Sequence, residues 1–113
     1  MLRPVSANEF GAIEWIPQAI ISRPVSYFER HFGMNFVRGS DDLDDYQEAT
    51  FSLDGLPVAL MHYRGYPSDT TTVYLPFGFK DVARILQVIG AIAKELALPP
   101  DAVSWQRSDN PNL

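Results

Sequence analysis

The sequence predicts an α+β fold: a mostly antiparallel β-meander packed by one long C-terminal helix and one short N-terminal helix. Three observations predict it. Asp54-Gly55 lies between two runs of alternating apolar residues, 49–53 and 56–60, and this dipeptide readily takes the positive φ angles of a type I′ hairpin turn. Residues 80–97 keep the i, i+3, i+4, i+7 spacing of an amphipathic helix in Val82, Ile85, Leu86, Ile89, Ile92, Ala93 and Leu96. The chain has 113 residues, 46% of them apolar, which suits one domain over residues 1–113 with a single core.

Taken in order, residues 1–9 are polar with an early proline and read as a loosely held arm. Residues 10–16 read as a first strand with Ile13 and Trp15 on one face, ending at Pro17 because a proline fits poorly inside a sheet. Residues 22–32 read as a short helix with Ser22 as its cap. Pro24 is tolerated in the first turn, and Val25, Phe28 and Phe32 form one stripe. Gly33 supplies a left-handed stop, and 34–37 form a short strand. The loop 39–45 is turn-rich and acidic.

The hairpin follows. A two-residue turn sets Leu53 opposite Leu56, Phe51 opposite Val58, Ala49 opposite Leu60 and Gln47 opposite His62. One face therefore carries Ala49, Phe51, Leu53, Leu56, Val58 and Leu60, with His62 at its end. Residues 71–75 extend the meander but do not pair as far down as Pro57. Val88 lies off the stripe of the long helix, which Pro99-Pro100 ends. Residues 102–106 have the pattern of a last strand before a polar tail. The predicted order is β-α-β-β-β-β-α, with that last strand left open.

Charge and composition narrow the function. Nine basic against fourteen acidic residues give a net charge of −5. That sign opposes binding to nucleic acid or to an anionic membrane surface and matches a basic partner. With no cysteine, disulfides, thiolate metal sites and thiol nucleophiles are excluded. No secretory leader and no apolar run long enough to span a bilayer are evident, so a cytoplasmic location is expected. No serine stands in a strained strand-to-helix elbow. Phe77-Gly78-Phe79 has too few glycines for a phosphate cradle.

Two clusters remain. Asp41, Asp42, Asp44, Asp45 and Glu48 hold five of the acids, without the glycine and the spacing of an EF-hand. They read either as a solvated loop or as a surface that steers a basic partner. Tyr63, Tyr66 and Tyr74 gather beside Arg64, the composition of interface anchors. If the long helix covers the Phe51 face, Pro57, Ala59, Met61 and Tyr63 lie on the other. That face is then a binding surface or a dimer interface, unless the arm or the short helix covers it. His62 reads as a hydrogen-bonded interior or rim histidine, or as a general base or metal ligand; His31 reads as a surface residue.

The motif Tyr27-Phe28-x-x-x-Phe32-Gly33-Met34 after a first strand, then a long loop and a hairpin that ends in TTTVYL at 70–75, together cover residues 26–75. This stretch resembles one βαβββ module of the glyoxalase/bleomycin-resistance (vicinal-oxygen-chelate) family. The resemblance implies modules paired within or between chains around a metal held from the first and fourth strands. The matching positions here are Glu14 and His62. The chain departs from the pattern in lacking a second module and in the length of its helix over 79–98.

Two functional expectations follow. The first is a small, acidic, non-enzymatic binding protein without cofactor, immunity- or chaperone-like. It would engage a basic protein partner through Asp41, Asp42, Asp44, Asp45, Glu48, Tyr63, Arg64 and Tyr66. The alternative, implied by the resemblance, is a homodimer binding a small molecule or a metal through Glu14 and His62.

Overall fold

Asp54 (φ 51°) and Gly55 (φ 93°) both adopt positive φ, and the register of the hairpin follows from that turn. In the computed structural model, which describes residues 2–6, 9–78 and 80–107, strand β4 (Asp45–Leu53) pairs with β5 (Leu56–Tyr63). The pairing runs from Leu53↔Leu56 through Phe51↔Val58, Ala49↔Leu60 and Gln47↔His62 to Tyr46↔Tyr63. Ala49, Phe51, Leu53, Val58 and Leu60 are all buried on one face. Each larger side chain among them contributes roughly 1.5–3 kcal/mol on burial, so a one-residue slip that turned the set to water is strongly disfavoured. Strand β6 (Thr71–Pro76) pairs with β5 only over Ala59–Met61, short of Pro57.

The remaining strands close an antiparallel sheet of seven, in the order β1-β4-β5-β6-β2-β7, with β3 also on β4. Residues 2–4, expected in a loose arm, form β1 (Leu2–Pro4) against the end of β4 near the turn. Met1, Ala7 and Asn8 of that arm, Phe79 and the tail 108–113 lie outside the described residues. Strand β2 (Trp15–Ile21) runs through Pro17 rather than stopping there. A register shift between Pro17 and Ala19 accommodates the ring. The Pro17 carbonyl faces the β7 side, where it accepts the Arg107 Nε–H at 2.8 Å. A proline needs no ladder donor at such a bulge. Ala19 and Ile21 are buried beyond it. The last strand does form, as β7 (Val103–Gln106) on the outer side of β2, after a 3-10 turn at Pro100–Ala102.

Helix α1 (Val25–Phe32) begins later than Ser22, with Pro24 at its cap position and no capping side chain. The Ser22 N–H is bonded instead to the Ala102 carbonyl at 2.7 Å. Gly33 (φ 63°) stops the helix as expected, its N–H returning to Glu29 O. Val25 and Phe28 are buried, but Phe32 remains 38% exposed. Phe36, buried beyond the stop, packs its ring near Phe28 instead.

Helix α2 (Val82–Glu95) starts at Asp81, whose carboxylate accepts the Arg84 N–H. Its buried residues are Ile85, Val88, Ile89 and Ile92, continued by Leu96, while Val82 and Leu86 face outward. The helix is therefore turned from the expected stripe. It is apolar over more than half its girth, and packing against the twisted sheet selects which part is buried. It ends before Pro99-Pro100, with Ala97 in the left-handed region (φ 54°). No helix among the described residues is long and apolar enough to cross a membrane.

Both helices join the core on the Phe51 face. Among the described residues the opposite face has no helix. Its centre is buried all the same: Ala59, Met61 and Tyr74 form a second apolar cluster under Trp15, Tyr46 and Tyr63. The short helix, one of the covers expected for this face, packs on the other side of the sheet. Aromatic rings of the sheet itself provide the cover.

Candidate functional site: an acidic turn fastened to a tyrosine cluster

Strand β3 (Val37–Ser40) pairs with the first half of β4, from Val37↔Glu48 to Ser40↔Asp45. The acidic loop is thus the turn of a second hairpin. Asp41 shapes it: Oδ1 accepts the N–H groups of Leu43 (2.9 Å) and Asp44 (3.1 Å), the usual way an aspartate folds a turn around its own side chain. The Asp41 N–H closes the loop on the Asp44 carbonyl at 3.1 Å.

The turn is fastened to the β5–β6 loop. The Tyr63 hydroxyl donates to Asp41 Oδ2 at 2.7 Å, and the Gly65 N–H donates to Asp44 Oδ2 at 2.6 Å. Arg64 lies 3.8 Å from Asp44 and 3.6 Å from Asp45, and its N–H is bonded to the Asp45 carbonyl at 2.9 Å. These ion pairs are largely solvated, since the Arg64 side chain is 79% exposed. Such pairs contribute little, so the hydrogen bonds to fixed geometry hold the turn.

Hydrogen bonding to Tyr63, then to the Leu43 N–H, holds the Asp41 carboxyl below its ordinary range. Partial burial, reinforced by the Asp41 carboxylate, pushes the Tyr63 phenol well above its usual value. Burial does the same to Tyr74, helped by Tyr66.

Around this contact the rings of Tyr46 and Tyr66 stand 5.6 and 5.4 Å from Tyr63. Tyr46 is opposite Gly39 across the β3–β4 pair. A Cβ at Gly39 would meet the Tyr46 ring at 2.7–2.9 Å, so the glycine is what lets that ring lie flat over the strand.

The structure thus brings together Asp41, Asp44, Asp45, Tyr63, Arg64 and Tyr66, which the sequence offered as two separate clusters. It also shows that most of the carboxylates are engaged within the chain. Asp42 has no hydrogen bond or ion pair among the described residues, and Leu43 beside it is 84% exposed. Glu48 sits further along β4, accepting the Thr50 hydroxyl at 3.2 Å. Leu43, Tyr46 and Gly39 were not singled out by sequence. A glycine inside a strand pattern opposite an aromatic was the available signal.

Glu14 and His62 are not brought together. Glu14 precedes β2, its carbonyl accepting the Phe77 N–H just beyond β6. His62 Nδ1 lies 2.9 Å from the Thr70 carbonyl, before the other end of β6. That strand of six residues separates them by roughly 20 Å at ~3.3 Å per residue. A metal held by both would have to take one from each of two chains. The Thr70 carbonyl can only accept, so His62 carries its proton on Nδ1 and leaves Nε2 for another partner. Among the described residues no group of three or more His, Asp or Glu side chains is placed to hold a metal ion.

Comparison of this chain with protein-family models, with curated proteins and with solved structures gives no match.

Proposed function

We propose that this chain is a small, acidic, non-enzymatic binding protein that engages a basic protein partner in the manner of an immunity or chaperone-like protein. The observation that supports this reading is the fastening of the acidic turn by Tyr63 and Gly65. It holds Asp42 and Leu43 outward at a fixed position beside the exposed Tyr66. A partner then meets negative charge, an apolar tip and an aromatic ring that are already ordered, so little conformational freedom is lost on binding. Charge supplies steering, while Leu43 and Tyr66 supply the buried contact. Asp41 and Asp44 are architectural in this reading and act through the turn.

The test is native mass spectrometry of the protein isolated from its own host, run beside an Asp42→Lys, Leu43→Ser double variant. The expected result is a complex with one basic protein that the double variant loses while its circular dichroism is unchanged. A complex retained by the variant, or a homodimer with bound metal, overturns the reading.

A further inference from the structure

His62 is one of three polar side chains in a row whose bonding capacity the chain leaves unused. Arg38 of β3 stands opposite Gln47 of β4, and Gln47 stands opposite His62 of β5. Residues directly opposite in antiparallel strands share a face. This is the Phe51 face, since Gln47 lies an even number of residues before Phe51 on β4. Among the described residues neither the Arg38 guanidinium nor the Gln47 amide has a hydrogen bond or an ion pair. His62 spends only Nδ1, on the Thr70 carbonyl.

The three line a recess of about 470 Å³, together with Gly39, Asp45, Tyr46 and Arg64. That volume lies within the roughly 300–1,000 Å³ typical of small-molecule sites. Its lining includes no residue of α1 or α2, so it opens where the helices no longer cover their face of the sheet.

The row is chemically different at its two ends. Arg64 is 3.6 Å from Asp45 and 3.8 Å from Asp44, so its charge is answered within the chain. Arg38 is exposed and its charge is not. A guanidinium of this kind matches a carboxylate through two parallel hydrogen bonds. At the other end, with the proton on Nδ1, His62 Nε2 accepts and requires an N–H or O–H from the ligand. Gln47 between them can donate or accept. Two strand spacings set the Arg38 and His62 backbones roughly 9.5 Å apart, and side chains stand nearly perpendicular to a sheet. Two hydrogen bonds of about 2.9 Å and one residue's length of about 3.5 Å fill that gap.

We propose that this recess binds a small carboxylic acid with an N–H one residue's length from the carboxylate, the chemistry of an N-acylated amino acid. The carboxylate lies on Arg38, the N–H donates to His62 Nε2, and the acyl carbonyl accepts from the Gln47 amide. Arg38, Gln47 and His62 take no part in the acidic turn, so either reading can fail without the other.

The experiment compares N-acetylglycinate with two close analogues. In acetoxyacetate an ester oxygen replaces the N–H, and in N-acetylglycinamide the charge is removed. Binding is followed by the backbone and side-chain resonances of Arg38, Gln47 and His62. N-acetylglycinate is expected to bind about twofold to tenfold more tightly than acetoxyacetate, the range of one hydrogen bond. It is expected to bind about twofold to fivefold more tightly than the amide, the range of one partly solvated ion pair. In Arg38→Gln, at an exposed position that does not endanger folding, the preference for charge should vanish and the preference for N–H remain. In His62→Phe the reverse is expected. An acetylated tripeptide ending in glycine presents the same groups; tighter binding of it assigns the site to a peptide end, and equal or weaker binding to a free acid. Equal affinity for the three small probes, shifts centred elsewhere, preferences unmoved in Arg38→Gln, or no saturable binding overturns the proposal.

Discussion

Replacing Gly39 by alanine tests whether the tyrosine cluster is built on that glycine. The new Cβ would stand 2.7 Å from Cζ and Oη of Tyr46 and 2.9 Å from its Cε1, too close for any real contact. The atoms in the way belong to the outer part of a side chain, so the ring must swing aside while the backbone holds. Leaving its position forfeits the edge-on contact with Tyr63, whose centroid is 5.6 Å away, worth about 0.5–1.5 kcal/mol. An off-rotamer tyrosine adds about 0.5–1.5 kcal/mol. Against this, alanine restricts the unfolded chain and returns about 0.4–1 kcal/mol, because Gly39 is not among the glycines with positive φ. The balance is a loss of about 1 kcal/mol. Urea unfolding should show this as a lower midpoint at constant slope, with a changed tyrosine signal in near-ultraviolet circular dichroism. A variant more stable than the parent by about 0.4–1 kcal/mol, with that signal unchanged, would refute the packing of Tyr46 on Gly39.

Three further outcomes follow from the fold. Phe28, fully buried between α1 and the sheet, should cost about 3–5 kcal/mol when changed to alanine, measured by the same unfolding curve; a loss below about 1 kcal/mol would place it outside the core. Ala97 holds a left-handed conformation at φ 54°, which costs a non-glycine residue roughly 1–2 kcal/mol, so Ala97→Gly should raise stability by up to about 1 kcal/mol; a lower melting temperature would contradict it. Burial holds Tyr63 and Tyr74 protonated beyond the ordinary value of 10.0. Their folded pKa values are raised, so the stability they contribute is fully present below pH 10.0 and is lost as the pH rises from there toward the folded values. A phenolate titration at alkaline pH should show two tyrosines ionising late, together with unfolding, and the late phase should shrink in Tyr74→Phe; all five tyrosines titrating together would refute this.

The hairpin and its register could be read from sequence because their cause is local: a dipeptide suited to positive φ and a period of two on both sides. The first strand was harder. Pro17 signals an end by every local rule, and only the bulge against β6 and the Arg107 contact from the far end of the chain let the strand continue. The buried stripe of α2 was ambiguous for a different reason. With Val82, Leu86 and Val88 all apolar, periodicity allows more than one face, and the sheet chooses. In the acidic turn the residue types were visible, yet their use was not. Whether an aspartate faces solvent or a neighbouring phenol depends on Tyr63 lying 22 positions away.

The strand order has a kinetic meaning. The β3–β4 and β4–β5 hairpins join neighbours in sequence, and the β5–β6 contact spans one loop. By contrast Ile21 of β2 must find Thr71 and Leu2 must find Leu53 across nearly half of the chain, and Trp105 must find Ile20 across most of it. Closing such long loops is entropically slow. The meander around Asp54-Gly55 is therefore placed to assemble first, with the two ends of the chain added to it last, as β1 on one flank and β7 on the other. The same order should appear in reverse as local opening. Amide exchange would be slowest in β5, which has a paired strand on each side, and fastest in the short terminal strands whose release leaves the centre intact.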